Sequence, residues 1–208
     1  MNIITKLAKA KVIAVIRADD KQQAKQIAAA CSQGGIKAIE ITYTTPDATA
    51  VLDALAKSFG DEEFLLGAGT VLDDKTALEA IHAGAKYIVS PGFDEATCKL
   101  CNQHQIPYIP GCMTVTEILT AHTAGASAIK LFPANILTTG FLKAIKNLLP
   151  PMTFVATGGI NVDNFTEWLQ AGCGAVGIGG KLTAGAKTGD YQSITDMACA
   201  FMQKVQEL

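Results

Sequence analysis

The sequence predicts an α/β protein, a (β/α)8 TIM barrel preceded by a short N-terminal helix. Three observations lead there. Short apolar runs alternate with amphipathic runs eight times along 208 residues, the order that builds a parallel sheet covered by helices. Four of the amphipathic runs end in glycine-bearing turns, near Gly35, Gly84, Gly125 and Gly172, each read as a helix C-cap feeding the next strand. The first strand is followed by Arg17-Ala-Asp-Asp, not by the glycine-rich turn of an open dinucleotide-binding sheet. Eight units point to a closed barrel, with an open Rossmann-type sheet as the second reading. No linker or low-complexity segment divides the chain, so residues 1–208 are expected to form one barrel domain.

Residues 1–11 are too polar for a signal peptide and read as a short amphipathic helix. The apolar run 12–16 is the first strand, and the amphipathic run 21–32 its helix, stopped by Gly34-Gly35. Residues 37–43 form the second strand; the helix 47–59 follows, with Pro46 near its start. The third unit is 64–68 with the helix 74–83, and the fourth is 87–89 with the helix 95–104. The fifth pairs 107–109 with 115–124, and the sixth pairs the run around Lys130 with 140–149. The seventh is 153–156 with 162–171, where Asn161 is a plausible N-cap. The eighth is 175–178, ending in Gly-Gly-Lys before a last helix at about 191–207.

Composition narrows the function. Hydrophobic residues make up 49% and charged residues 17%, enough apolar material for one large core. A net charge of −2 without a basic stripe excludes nucleic acid as the expected partner. No apolar run approaches the roughly 18 residues of a spanning helix, so no membrane is expected. The six cysteines, at 31, 98, 101, 112, 173 and 199, read as reduced thiols of a cytoplasmic protein. Cys98 and Cys101 form a CxxC inside a helical run with no second pair, which argues against a redox or zinc role. The histidines at 82, 104 and 122 fall on the outer helices, which argues against a histidine metal centre.

The active site of such a barrel lies at the C-terminal ends of its strands, and the charged residues of the strands are read in that light. Residues 126–133, Ala-Ser-Ala-Ile-Lys-Leu-Phe-Pro, make a short strand with one charge, Lys130. By periodicity alone it is either a solvent-facing lysine on an edge strand or an interior lysine that needs a partner. Alternation on the second strand sends Ile39 and Ile41 one way and Glu40 the other. Packing of Ile39 and Ile41, and likewise of Ile129 and Leu131, against the helices leaves Glu40 and Lys130 inside the barrel, as either a structural ion pair or a catalytic pair. A neutral lysine amine attacks a ketone, and a carboxylate beside it can carry the protons.

The last two strand ends read ATGGI (156–160) and GIGGK (177–181). Glycines there let backbone N–H groups approach an anion, with the next helix N-terminus behind them, and tight turn formation is the plainer alternative. Lys181 adds charge or simply faces solvent. Arg17 ends the first strand and either grips a carboxylate or pairs with Asp19 or Asp20. Thr70 and Pro91 end the third and fourth strands and are weaker signals. A phosphosugar epimerase or synthase, or a non-catalytic phosphosugar-binding barrel, would also use such glycine loops.

The motifs IEIT (39–42), GAGTV (67–71), SPG (90–92), IPG (109–111), IKLFPA (129–134), TGGI (157–160) and GIGG (177–180), in that order, resemble one family. It is that of the class I 2-keto-3-deoxy-6-phosphogluconate (KDPG) and 4-hydroxy-2-oxoglutarate (KHG) aldolases. The resemblance covers nearly the whole chain. It implies a homotrimeric TIM barrel without metal or organic cofactor, acting in the Entner–Doudoroff route. It assigns Lys130 to the Schiff base, Glu40 to proton transfer, Thr70, Pro91 and Phe132 to the pyruvate pocket, and Thr157, Gly158, Gly159, Gly179 and Gly180 to the phosphate. Two positions depart from the pattern. Many members carry an arginine four residues after the glutamate, where this chain has Thr44, and many have serine where it has Lys181. Arg17 is the expected replacement for the missing carboxylate-binding arginine. These departures leave the galactonate epimer and 4-hydroxy-2-oxoglutarate as further candidate substrates.

Overall fold

The protein is described by a computed structural model covering residues 2–59 and 64–208. Met1, the first residue of the expected N-terminal helix, lies outside the described residues. Among those residues the strands are β1 Val12–Ile16, β2 Ala38–Thr42, β3 Leu65–Gly69, β4 Ile88–Val89, β5 Tyr108–Ile109, β6 Gly111–Cys112, β7 Ile129–Leu131, β8 Phe154–Thr157 and β9 Ala175–Ile178. They pair in parallel in the order β5-β4-β3-β2-β1-β9-β8-β7-β6.

The ninth strand is the expected fifth one cut in two. Pro110 has no N–H to give a ladder, and it separates β5 from β6. Tyr108 sits opposite Ile88 of β4, while Gly111 sits opposite Lys130 of β7. The ring still closes there: the Ser127 N–H donates to the Tyr108 carbonyl at 3.0 Å and the Lys130 N–H to the Pro110 carbonyl at 2.9 Å. The result is the eight-staved parallel barrel that the alternating pattern predicts.

The helices are α1 Ile3–Ala10, α2 Lys21–Gln33, α3 Ala48–Ser58, α4 Asp74–His82, α5 Glu95–Gln103, α6 Val115–Thr123, α7 Thr139–Leu148, α8 Phe165–Gln170 and α9 Tyr191–Gln206. Local chemistry sets their ends. The side chains of Asp20, Asp73, Asp94, Thr114, Thr138 and Asp190 accept backbone N–H bonds in the first turns of α2, α4, α5, α6, α7 and α9. At the other end, Gly35, Gly84, Gly125 and Gly172 all adopt positive φ. The next residue's N–H then reaches back to the last turn, as Ile36 does to the Cys31 carbonyl at 3.1 Å, a Schellman closure.

Strand alternation sorts the core into two shells. Ile39, Ile41, Leu66, Ala68, Ile129 and Leu131 face the helices. Ile13, Ala38, Leu65, Tyr87, Val89, Ile109, Ala128, Val155 and Ala175 fill the barrel, and Leu7 of α1 packs with them. The N-terminal helix therefore plugs the end of the barrel opposite the active-site loops.

Two local expectations are corrected. The helix expected over 162–171 begins only at Phe165, and Asn161 is not its N-cap. Its Oδ1 accepts the Asp163 N–H at 2.8 Å, and its own N–H donates to the Asn164 Oδ1 at 2.9 Å. Competing side-chain bonds hold this stretch as turns. After β9 a 3-10 segment, Ala184–Thr188, precedes the last helix.

Candidate active site

Glu40 and Lys130 both point into the barrel, with only 3% and 5% of their surfaces exposed. The alternation of β2 and β7 puts them there, because their bulky neighbours are drawn to the helices. Burial raises the Glu40 pKa, and the positive charges of Lys130 and Arg17 oppose that rise. Burial lowers the Lys130 pKa; Glu40 opposes the shift and Arg17 adds to it. The Lys130 Nζ lies 4.6 Å from the centroid of the Phe132 ring, which attracts a cation through its π face. Among the described residues no hydrogen bond or ion pair engages either headgroup. Both remain available to a ligand.

Arg17 extends from the end of β1, exposed at the barrel mouth. Its backbone is bracketed by threonines at the end of β2 and in the loop after it. The Thr42 hydroxyl donates to the Ile16 carbonyl at 3.2 Å, and the Ala18 N–H donates to the Thr45 hydroxyl at 3.2 Å. Thr44 joins this set through a 2.7 Å hydroxyl contact with Thr42. Arg17 lines two neighbouring cavities. One, of about 450 Å³, is walled by Asp19, Gln23, Thr44, Thr183 and Lys187 among others. The other, of about 160 Å³, brings Arg17 together with Phe132, Thr157, Gly158, Gly159, Gly179, Gly180 and Lys181. Eight of the residues singled out in the sequence thus share one small cavity.

The smaller cavity has the makings of an anion site. Gly158 and Gly159 carry φ of 104° and 72°, which a side chain tolerates poorly. The Thr157 carbonyl accepts the Ala134 N–H at 2.8 Å, tying this turn to the loop after β7. The helix N-termini expected behind these turns are not there. The helix after β8 is short and begins six positions beyond Gly159, and a 3-10 turn follows β9. No helix N-terminus stands directly behind either glycine turn, and Arg17 and Lys181 are the cations on the cavity wall.

Thr70 and Pro91 stand at the ends of β3 and β4, outside the walls of both cavities. Thr70 has φ 57°, an outlier for a β-branched residue of the kind that gathers at functional positions. The carbonyl of Pro91 lies against Gly111, where a Cβ would stand 2.5 Å from the Pro91 carbonyl carbon. The sequence did not single out Thr42, Thr45, the inward glycines Gly67 and Gly69 of β3, or Gly177 of β9. A period-2 reading of GAG and GIG would have turned those glycines inward, but only the neighbouring strand shows what leans over them. The CxxC cysteines lie on α5, and burial raises the pKa of both thiols, that of Cys101 to about 12, away from the thiolate that redox or metal chemistry uses.

A parallel barrel with a lysine and a glutamate buried inside it, neither of them on the wall of either cavity, and with a small glycine-lined cavity at its mouth, is the frame of a barrel enzyme of the aldolase class. The comparisons agree. The family described as KDPG and KHG aldolase matches residues 3–197. A 2-dehydro-3-deoxy-phosphogluconate aldolase of Treponema pallidum (strain Nichols) is 34% identical, over 99% of this chain and 98% of its own. A 2-dehydro-3-deoxy-6-phosphogalactonate aldolase of Escherichia coli (strain K12) is 30% identical, over 96% of each chain. The crystal structure of a KDPG aldolase from Legionella pneumophila, with pyruvate captured as a covalent carbinolamine, superposes with a TM-score of 0.88. It shares 32% identity and covers 95% of this chain and 97% of that one. The chain belongs to the KDPG and KHG aldolase family.

Proposed function

We propose that the protein is a Schiff-base aldolase that reversibly cleaves 2-dehydro-3-deoxy-6-phosphogluconate to pyruvate and D-glyceraldehyde 3-phosphate, as in the Entner–Doudoroff route. The observation that carries this is the burial of Lys130 beside Glu40 inside the barrel. The neutral Lys130 amine adds to the C2 ketone, and loss of water leaves an iminium. The C4 hydroxyl gives up its proton as the C3–C4 bond breaks; the electron pair flows to the iminium and forms an enamine. Protonation at C3 and hydrolysis then release pyruvate and restore the lysine. Glu40 carries these protons.

In this reading Arg17 holds the keto-acid carboxylate in place of an arginine at Thr44. Thr70, Pro91 and Phe132 line the pyruvate end. Thr157, Gly158, Gly159, Gly179, Gly180 and Lys181 hold the phosphate. The small glycine-lined cavity supports that last assignment. Cleavage of 4-hydroxy-2-oxoglutarate to pyruvate and glyoxylate uses the same groups and is part of the proposal. The galactonate epimer is the second reading, favoured by the likeness to the phosphogalactonate aldolase.

Borohydride with pyruvate should leave a stable mass increment on the peptide that holds Lys130. An adduct on another lysine, or none, refutes the mechanism. Release of pyruvate in a lactate dehydrogenase-coupled assay separates an aldolase from a phosphosugar-binding barrel. Relative kcat/KM on the two epimers and on 4-hydroxy-2-oxoglutarate decides the substrate.

The proposal extends to a cytoplasmic homotrimer built on the one barrel domain. Leu72, Met113, Val115 and Ile136, in or next to the loops that follow β3, β6 and β7, and Leu119 on α6 are exposed apolar residues, a composition suited to subunit contact. Sedimentation at the mass of one chain would refute the trimer.

A further inference from the structure

β3 gives up its share of the barrel interior. Its inward positions are Leu65, Gly67 and Gly69, and above Leu65 both are glycine. The space over Gly67 is taken by Tyr87: a Cβ on Gly67 would stand 2.5 Å from the ring Cε1. The Tyr87 hydroxyl donates to the Ile39 carbonyl at 2.8 Å, so that ring is a fixed floor. The space over Gly69 is taken by Glu40. The three heavy atoms nearest to a Cβ on Gly69 are Oε1, Cδ and Cγ of Glu40, with Cδ at 2.5 Å and Cγ at 2.6 Å. Separations under 3.0 Å are essentially never seen for a real Cβ. The register explains the contact. Glu40 stands opposite Gly67, and Gly69 stands opposite Thr42, two residues further along. The Glu40 side chain leans along its strand onto this diagonal neighbour.

We propose that Gly69 is a positioning residue for Glu40: its missing side chain is the seat of the carboxylate and sets the height and direction from which Glu40 moves protons. Tyr87 closes the layer beneath, so a carboxylate pushed off Gly69 cannot sink and must swing away. Gly69 is absent from the glycines with positive φ, so alanine suits its backbone. All three nearest neighbours of the added methyl belong to the flexible Glu40 side chain. An alanine there is therefore expected to fold and to misplace one functional group. The inference rests on the reading of Glu40 as the proton carrier.

The test is a double-mutant cycle of Gly69→Ala and Glu40→Ala. Gly69→Ala should lower kcat about 10- to 100-fold, the loss expected for roughly 1 Å of misplacement. KM should change less than about threefold, and the pyruvate–borohydride adduct should still form on Lys130. The double variant should be no slower than Glu40→Ala alone, because the glycine acts only through the carboxylate. A Gly69→Ala enzyme within about twofold of the parent, or losses that multiply in the double variant, overturns the proposal. Thermal melting covers the case of poor folding. Any fall in melting temperature caused by Gly69→Ala should vanish in the Glu40→Ala background, and an equal fall in both backgrounds refutes the contact. Absence of the Lys130 adduct in the parent would instead defeat the aldolase reading, and full turnover in Glu40→Ala the assignment of Glu40 as proton carrier. The melting cycle would still decide whether Gly69 seats Glu40.

Discussion

Lys130 can attack a ketone only as the free amine, so its protonation sets the rate of imine formation. Burial already favours the free amine, Arg17 pushes the same way, and Glu40 pushes back. The signs predict opposite effects for two variants. Arg17→Ala removes a charge that lowers the Lys130 pKa, so imine formation at saturating pyruvate should slow at pH 7 and its pH profile should move to higher pH. Glu40→Gln removes a charge that raises it, and the profile should move to lower pH. Rates of borohydride-trapped adduct formation between about pH 5 and 10, the window between the ordinary carboxylate and lysine values, check both. Shifts in the same direction would break the electrostatic argument. The two charges were legible in the sequence because each interrupts an apolar strand whose neighbours name the outward face. Gly69 was not, since its role depends on a carboxylate carried by another strand.

At the scale of the element, the end of β2 and the loop after it act on the end of β1. Position 44 carries a threonine, and the hydroxyls of Thr42 at the end of β2 and of Thr45 in the loop hold the backbone on both sides of Arg17, through the Ile16 carbonyl and the Ala18 N–H. Thr45 is 3% exposed, so its loss leaves a buried N–H unpaired, at a cost of about 1–3 kcal/mol. Thr45→Val should therefore raise the pyruvate dissociation constant in the same direction as Arg17→Ala. Combined with Arg17→Ala it should add little. Calorimetric titration with pyruvate on the single and double variants measures this, and an unchanged affinity in Thr45→Val would dismiss the bracket. The fifth stave teaches a similar lesson. The sequence shows Pro110 plainly, but its effect, one stave shared between two neighbours, appears only when β4 and β7 are both in place.

The whole molecule divides its labour between two ends. The C-terminal ends of the strands hold Arg17, Thr70, Pro91 and the glycine turns, while the opposite end is sealed by α1. Leu7 is 2% exposed and packs with Ile13, Ala38, Leu65 and Tyr87 in the inner shell. Leu7→Ala should cost about 2–5 kcal/mol of stability, read from the urea midpoint. KM should stay unchanged, since the cavity opens at the far end from the site. A large KM change without loss of stability would show that the two ends are not independent.

The sequence by itself determined the order of the elements, the inward faces of β2 and β7, the glycine closures of four helices and the family. These are local properties: alternation, capping and turn chemistry depend on residues close along the chain. Only the tertiary structure decided that the N-terminal helix is a plug, that Arg17 meets Gly179, Gly180 and Lys181 around one cavity, and that Gly69 lies under Glu40. The reason is closure. A barrel brings residues far apart in sequence onto adjacent staves, and what a glycine leaves empty is filled by a side chain that only its spatial neighbour can supply.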